Sequence, residues 1–151
     1  TGTLNPINLA ANQPAGEVVY MGTGSLTAGK LYYLNTNGGW DLANAAGTGS
    51  VGSASAGNAG LLGFALGTEP HVNGMLIRGF VNAGTAWTGD WVTGSAVYVN
   101  SASAPNGAAI GGAVSGAAPT TSDSYVRIVG YCATTEKVIY FNPDSTWVEN
   151  S

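Results

Sequence analysis

Short apolar runs punctuated by Gly, Asn, Ser and Thr recur along the whole chain. Seven stand out: Glu17–Met21, Lys30–Asn35, Leu61–Leu66, Met75–Val81, Ala96–Asn100, Tyr125–Cys132 and Lys137–Phe141. Their wealth of Val, Ile, Leu, Tyr and Phe predicts β-strands. Helix has little support, because the chain scatters 24 glycines along its length and each costs about 1 kcal/mol in a helix interior. The Ala-rich window Ala43–Gly60 reads as a loop for its Gly, Ser and Asn content. Turn chemistry agrees. Asn37-Gly38-Gly39 sits between Leu34 and Trp40 as a hairpin signal, and Val72-Asn73-Gly74 precedes the Met75 run in the same way. Asn142–Ser145 turns the chain after Phe141 and delivers Trp147 and Val148 to a last extended segment. No proline falls within a predicted strand, as interior pairing requires.

Two halves of the chain share a pattern. Ala28–Asn35 matches Thr93–Asn100, and Leu62–Ala65 matches Val129–Cys132. Each half reads as strand, turn, Ala/Gly-rich loop, and a strand carrying Gly followed by an aromatic residue. A glycine within a strand marks a bulge or the close approach of another backbone. The expected fold is therefore all-β, a small β-sandwich or barrel with two pseudo-repeated halves and an extended N-terminal arm. The arm covers residues 1–16 and a single β domain covers 17–151. With two prolines and three asparagines, the arm shows no strand signal. Two readings of it stand open: a frayed terminus, or a segment that lies on a neighbouring subunit. In the second, Leu4, Ile7 and Leu9 serve as apolar plugs.

Composition narrows the function. Only 8% of residues are charged, against roughly 25% in ordinary soluble domains. A surface of Ser, Thr, Asn and Gly is wetted but repels its neighbours weakly, which suits a protein built to sit beside copies of itself. Four basic residues, Lys30, Arg78, Arg127 and Lys137, lie isolated in a chain of net charge −4. That argues against nucleic acid, whose phosphates demand clustered Lys and Arg. No apolar run approaches the roughly 18 residues of a membrane-spanning helix, and no polybasic anchor is present.

Candidate chemistry is sparse. A single cysteine, Cys132, excludes an internal disulfide and a cysteine-based zinc site, and reads as a small buried hydrophobe. His71 is the only histidine; with Glu69 it falls on a turn where no third ligand is indicated. Gly22-Thr23-Gly24-Ser25 and Gly47-Thr48-Gly49-Ser50 resemble phosphate loops in composition alone, lacking the Lys and helix that would follow. All eight acidic residues are singletons, without the spacing of a calcium loop or an obvious pair for sugar cleavage. The expectation is a non-enzymatic protein with no cofactor and no metal. Trp87 and Trp91 are the most informative side chains. Flanking Thr88-Gly89-Asp90, they fit a sugar-stacking platform or an interface anchor. The simpler reading, that one caps the core and the other covers a loop, is favoured.

A resemblance sharpens this. The segments Ala28–Leu34, Gly60–Thr68, Gly74–Val81, Val126–Cys132 and Tyr140–Glu149 together resemble virion structural proteins of tailed bacteriophages, marine ones in particular. That group includes small capsid decoration (cement) proteins and the β-rich end domains of fibres. The likeness spans roughly residues 16–149 and rests on strand patterns rather than an active-site signature. It implies a β-sandwich or barrel, commonly a homotrimer, with no cofactor and no catalytic residue. As a decoration protein the chain would bind itself and the major capsid protein, on a head assembled in the host cytoplasm. As a fibre end domain it would bind a host glycan or surface protein. A secreted surface filament subunit shares the composition. The single small domain, the arm and the lack of a coiled-coil or β-helical shaft favour decoration.

Overall fold

The computed structural model describes residues 9–45, 60–100, 112–120 and 124–150. The fold is all-β: one curled, mixed sheet forms a half-barrel, with almost no helix. In chain order the strands are β1 (Pro14–Val19), β2 (Leu31–Leu34), β3 (Trp40–Leu42) and β4 (Leu62–Ala65). A single helical turn, α1 (Pro70–Asn73), precedes β5 (Met75–Asn82). There follow β6 (Trp87–Thr88), β7 (Ala96–Val99), β8 (Val114–Ser115), β9 (Tyr125–Val126), β10 (Ile128–Cys132), β11 (Val138–Phe141) and β12 (Val148–Glu149). Ten strands join in the order β3-β2-β4-β5-β11-β10-β7-β8-β6, with β1 added along β5, while β9 and β12 form a separate pair. All pairings in the large sheet are antiparallel except β6 with β8.

Strand β5 explains the curl. Met75 and Leu76 pair with Val19 and Val18 of β1 and also with Ala65 and Phe64 of β4. Further along, Gly79–Val81 pair with Gly16–Pro14 of β1 and also with Phe141–Ile139 of β11. A strand has two edges. Since β1 runs along one, β4 and β11 share the other, one toward each end, and the sheet diverges from there around its core. Phe64 and Phe141 meet at the divergence edge to face, with ring centroids 4.9 Å apart. The main core draws on both arms of the curl, with Leu31, Leu62 and Leu76 from one and Val97, Val129 and Ile139 from the other. Alternation puts Tyr32, Ala65 and Met75 on the opposite face. There they bury with Trp40 and Leu26 in a second, smaller cluster. Their cover is the chain segment after β1: Leu26 N–H donates to the Thr68 carbonyl and the Trp40 indole donates to the Met21 carbonyl.

Several elements depart from the sequence expectation. The strand expected at Glu17 starts at Pro14, so Pro14, Ala15 and Gly16 at the end of the arm are paired into the chain's own sheet. Proline is accommodated because it occupies the first strand position. The run Tyr125–Cys132 is not one strand but two in different sheets, β9 and β10, separated by Arg127. The reason is that Arg127 turns inward, 6% exposed, to donate to the Asp144 and Gly60 carbonyls. The Asn37-Gly38-Gly39 hairpin forms between β2 and β3, Gly38 taking φ of 79° while the Asn35 side-chain oxygen accepts from the Asn37 and Gly39 amides. The expected last extended segment is β12, paired antiparallel with β9. Of the window Ala43–Gly60, residues 46–59 lie outside the described residues.

The matched segments pair with each other at corresponding positions. Leu31 stands opposite Phe64 as Ala96 stands opposite Tyr131, and Tyr32 opposite Gly63 as Val97 opposite Gly130. Their faces are exchanged, however. Leu31 and Phe64 point into the main core, whereas Tyr131 is exposed and in its partner strand Val97 and Val99, not Ala96, are the buried residues; Leu62 and Val129 alone keep the same face. The glycines also differ. A Cβ on Gly130 would overlap the Tyr140 carbonyl oxygen, whereas one on Gly63 would meet its neighbours at 3.4 Å, ordinary contact distance.

Candidate functional site

Trp87 and Trp91 are brought together by the turn between them. Their ring centroids lie 4.7 Å apart with planes tilted by 59°, and both side chains are half-buried against the main core. The Trp87 indole donates to the Gly89 carbonyl at 2.9 Å. The Trp91 indole N–H is buried with no acceptor among the described residues. Thr88, Gly89 and Asp90 are exposed between them, and Thr88 Oγ1 is fixed by donating to the Val114 carbonyl while accepting from Asn100 Nδ2. The tilt keeps the rings from forming one flat surface of the kind a pyranose stacks on.

Of the arm's apolar residues, Leu4 and Ile7 lie outside the described residues. Leu9 is half-buried on the chain's own domain, its carbonyl accepting from Asn82 Nδ2. Asn12 N–H donates to the Asn82 carbonyl and the Asn12 side chain accepts from Thr85 Oγ1. The described part of the arm, from Leu9 onward, is thus hydrogen-bonded in cis.

Titratable side chains do not converge. His71 faces Glu69 at 3.8 Å on the exposed α1 turn, and among the described residues no three of His, Cys, Asp and Glu are grouped to hold a metal ion. Cys132 is buried beside Ser95 Oγ. Among the described residues Arg127 is the one buried charge. Burial pulls its guanidinium below the ordinary value and the Asp144 carboxylate partly offsets this, while the Trp147 ring lies 5.9 Å away. Arginine keeps its charge at neutral pH in any protein environment, so Arg127 acts as a fixed cationic clamp on Gly60, Asp144 and Trp147.

The largest feature that sequence reasoning missed is the outward face of β5, β11, β10 and β7. Pairing aligns Phe80 with Tyr140, Tyr140 with Tyr131, and Tyr131 with Ala96, so all four project from the same face. Ala15 of β1 extends the row beyond Phe80. Tyr98 and Ile128, also paired, lie on that face one step further. Phe80 and Tyr140 contact each other at 5.2 Å, and Tyr131 is 50% exposed. A signal was present. The strands read Ala-Val-Tyr-Val, Ile-Val-Gly-Tyr-Cys and Val-Ile-Tyr-Phe, without the polar alternation of an antiparallel sheet wetted on one side. No family model, curated protein or solved structure matches the chain.

Proposed function

We propose that the chain is a non-enzymatic structural subunit of a larger assembly and, following its resemblance to phage virion proteins, a capsid decoration protein. One observation carries the reading. The outward sheet face is lined by Phe80, Tyr98, Ile128, Tyr131 and Tyr140 in a chain with only four basic and eight acidic residues. Large apolar side chains on a charge-poor surface favour association, because little repulsion opposes their burial. Copies would bind one another, in the trimer that the resemblance implies, and would bind the major capsid protein of a phage head. The loose ends of exposed apolar surface elsewhere, such as Tyr20 and Val148, supply further contact area for such neighbours.

A second reading, a glycan-binding fibre end domain, draws on Trp87 and Trp91 with the exposed Asp90 between them. The half-buried, tilted rings make it the weaker of the two. Cryo-electron microscopy of the native assembly tests both. Copies of the domain seated on an icosahedral shell are the expected result; copies confined to fibre tips or strung along a filament would overturn decoration.

A further inference from the structure

We infer that Asn37, at the tip of the β2–β3 hairpin, is a site of spontaneous covalent modification. Water converts it to aspartate and isoaspartate, while the surroundings of Asn73 protect that residue from the same reaction. Both asparagines precede glycine, in Asn37-Gly38 and Asn73-Gly74; a third such pair, Asn106-Gly107, lies outside the described residues. Glycine matters because it has no Cβ to hinder attack by its own backbone nitrogen. Hydroxide removes the Gly38 amide proton, and the nitrogen attacks the Asn37 side-chain Cγ. The new N–Cγ bond closes a cyclic imide and the Cγ–Nδ2 bond breaks. The departing nitrogen takes a proton from water and leaves as ammonia, which restores the hydroxide. Water then opens the imide at either carbonyl, giving aspartate or isoaspartate. One water is consumed for each ammonia released, and nothing is oxidised or reduced.

The geometry separates the two sites. Asn37 and Gly38 are both exposed, and the Asn37 carboxamide has no hydrogen-bond partner among the described residues. A Cβ placed on Gly38 would meet nothing within 4 Å, so the imide has room to form. One bond must open first, from the Gly38 N–H to the Asn35 carbonyl at 3.1 Å. It closes an exposed turn, the kind of element that opens most readily. At Asn73 every atom the reaction uses is held. Its Oδ1 accepts from the Glu69 N–H at 3.0 Å, and its carboxamide lies against Gly67. Gly74 is buried, its N–H donates to the Pro70 carbonyl, and a Cβ there would fall 2.5 Å from Val18. Neither rotation of the side chain nor closure of the ring is possible without unfolding that turn.

Each event at Asn37 adds a carboxylate to a chain of net charge −4. The isoaspartate form also lengthens the backbone inside a loop whose Asn37 and Gly39 amides share the Asn35 side-chain oxygen. None of this depends on the assembly reading. Peptide mapping by mass spectrometry tests it, on the full chain aged for weeks in mildly alkaline buffer. In the folded chain Asn37 should convert at least about tenfold faster than Asn73, the difference that local opening of an exposed turn supplies. Unfolded in guanidinium chloride, the two should convert at similar rates, because glycine follows each and no tertiary contact distinguishes them. If Asn73 converts as fast as Asn37 in the folded chain, or if folding slows Asn37 as much as it slows Asn73, the inference is overturned.

Discussion

Arg127 offers the sharpest test of how the two sheets are held together. Its side chain donates from Nε to the Asp144 carbonyl at 2.7 Å and from a terminal nitrogen to the Gly60 carbonyl at 3.0 Å, and it lies against the Trp147 ring. It thereby ties the segment before β4 and the turn after β11 to the junction of β9 and β10. Hydrogen bonds from a charged donor are worth about 1.5–3 kcal/mol each, and the contact with Trp147 adds about 0.5–1 kcal/mol. Relief of the buried charge's desolvation returns part of that sum. Arg127→Ala is therefore expected to cost about 3–5 kcal/mol, since it also strands two carbonyls. For a domain of this size that corresponds to a Tm lower by about 10 °C or more. Arg127→Lys keeps the charge but not the planar fork that reaches two carbonyls, so its loss should be intermediate. Thermal and urea unfolding followed by tryptophan fluorescence would measure both, with Trp147 reporting locally. Were Arg127→Ala to melt within about 2 °C of the parent, the clamp would be dismissed, because losses of that size belong to ordinary surface positions.

Two more outcomes follow from geometry. Gly130→Ala should destabilise by about 2 kcal/mol or more, because its Cβ would overlap the Tyr140 carbonyl oxygen and a paired backbone cannot withdraw cheaply. Gly63→Ala, at the matching position, should change stability by less than about 1 kcal/mol, and paired urea titrations would compare them. Removing residues 1–8, which keeps β1 and the hydrogen bond from Asn82 to the Leu9 carbonyl, should leave the melting temperature within about 2 °C of the parent. Removing residues 1–19 strips β1 from β5 and should lower it by at least about 10 °C, as differential scanning calorimetry would show.

Secondary structure was legible because strand and turn signals are local. Val-Ile-Tyr-Phe at 138–141 and the Asn37-Gly38-Gly39 hairpin became what side-chain shape and glycine's positive φ dictate. The short strands β6 and β8 were not legible, being two residues long and existing only because a neighbour pairs with them. Trp87 and Trp91 could be singled out by spacing, yet their tilt and half-burial came from packing against the main core.

The face exchange between the matched segments shows where local information stops. Leu62-Gly63-Phe64-Ala65 and Val129-Gly130-Tyr131-Cys132 carry the same pattern, and both pair with the preceding matched strand. Sequence alone determined that each is a strand with a glycine followed by an aromatic residue. Only the tertiary structure decided that Phe64 is buried while Tyr131 faces outward. Leu62 and Val129 both reach the main core; unbroken alternation then turns Phe64 inward, whereas the register shift between Ile128 and Gly130 sets Tyr131 outward and Cys132 inward. That choice is made by the strands across the core and by the divergence at β5, none of which is a neighbour in sequence.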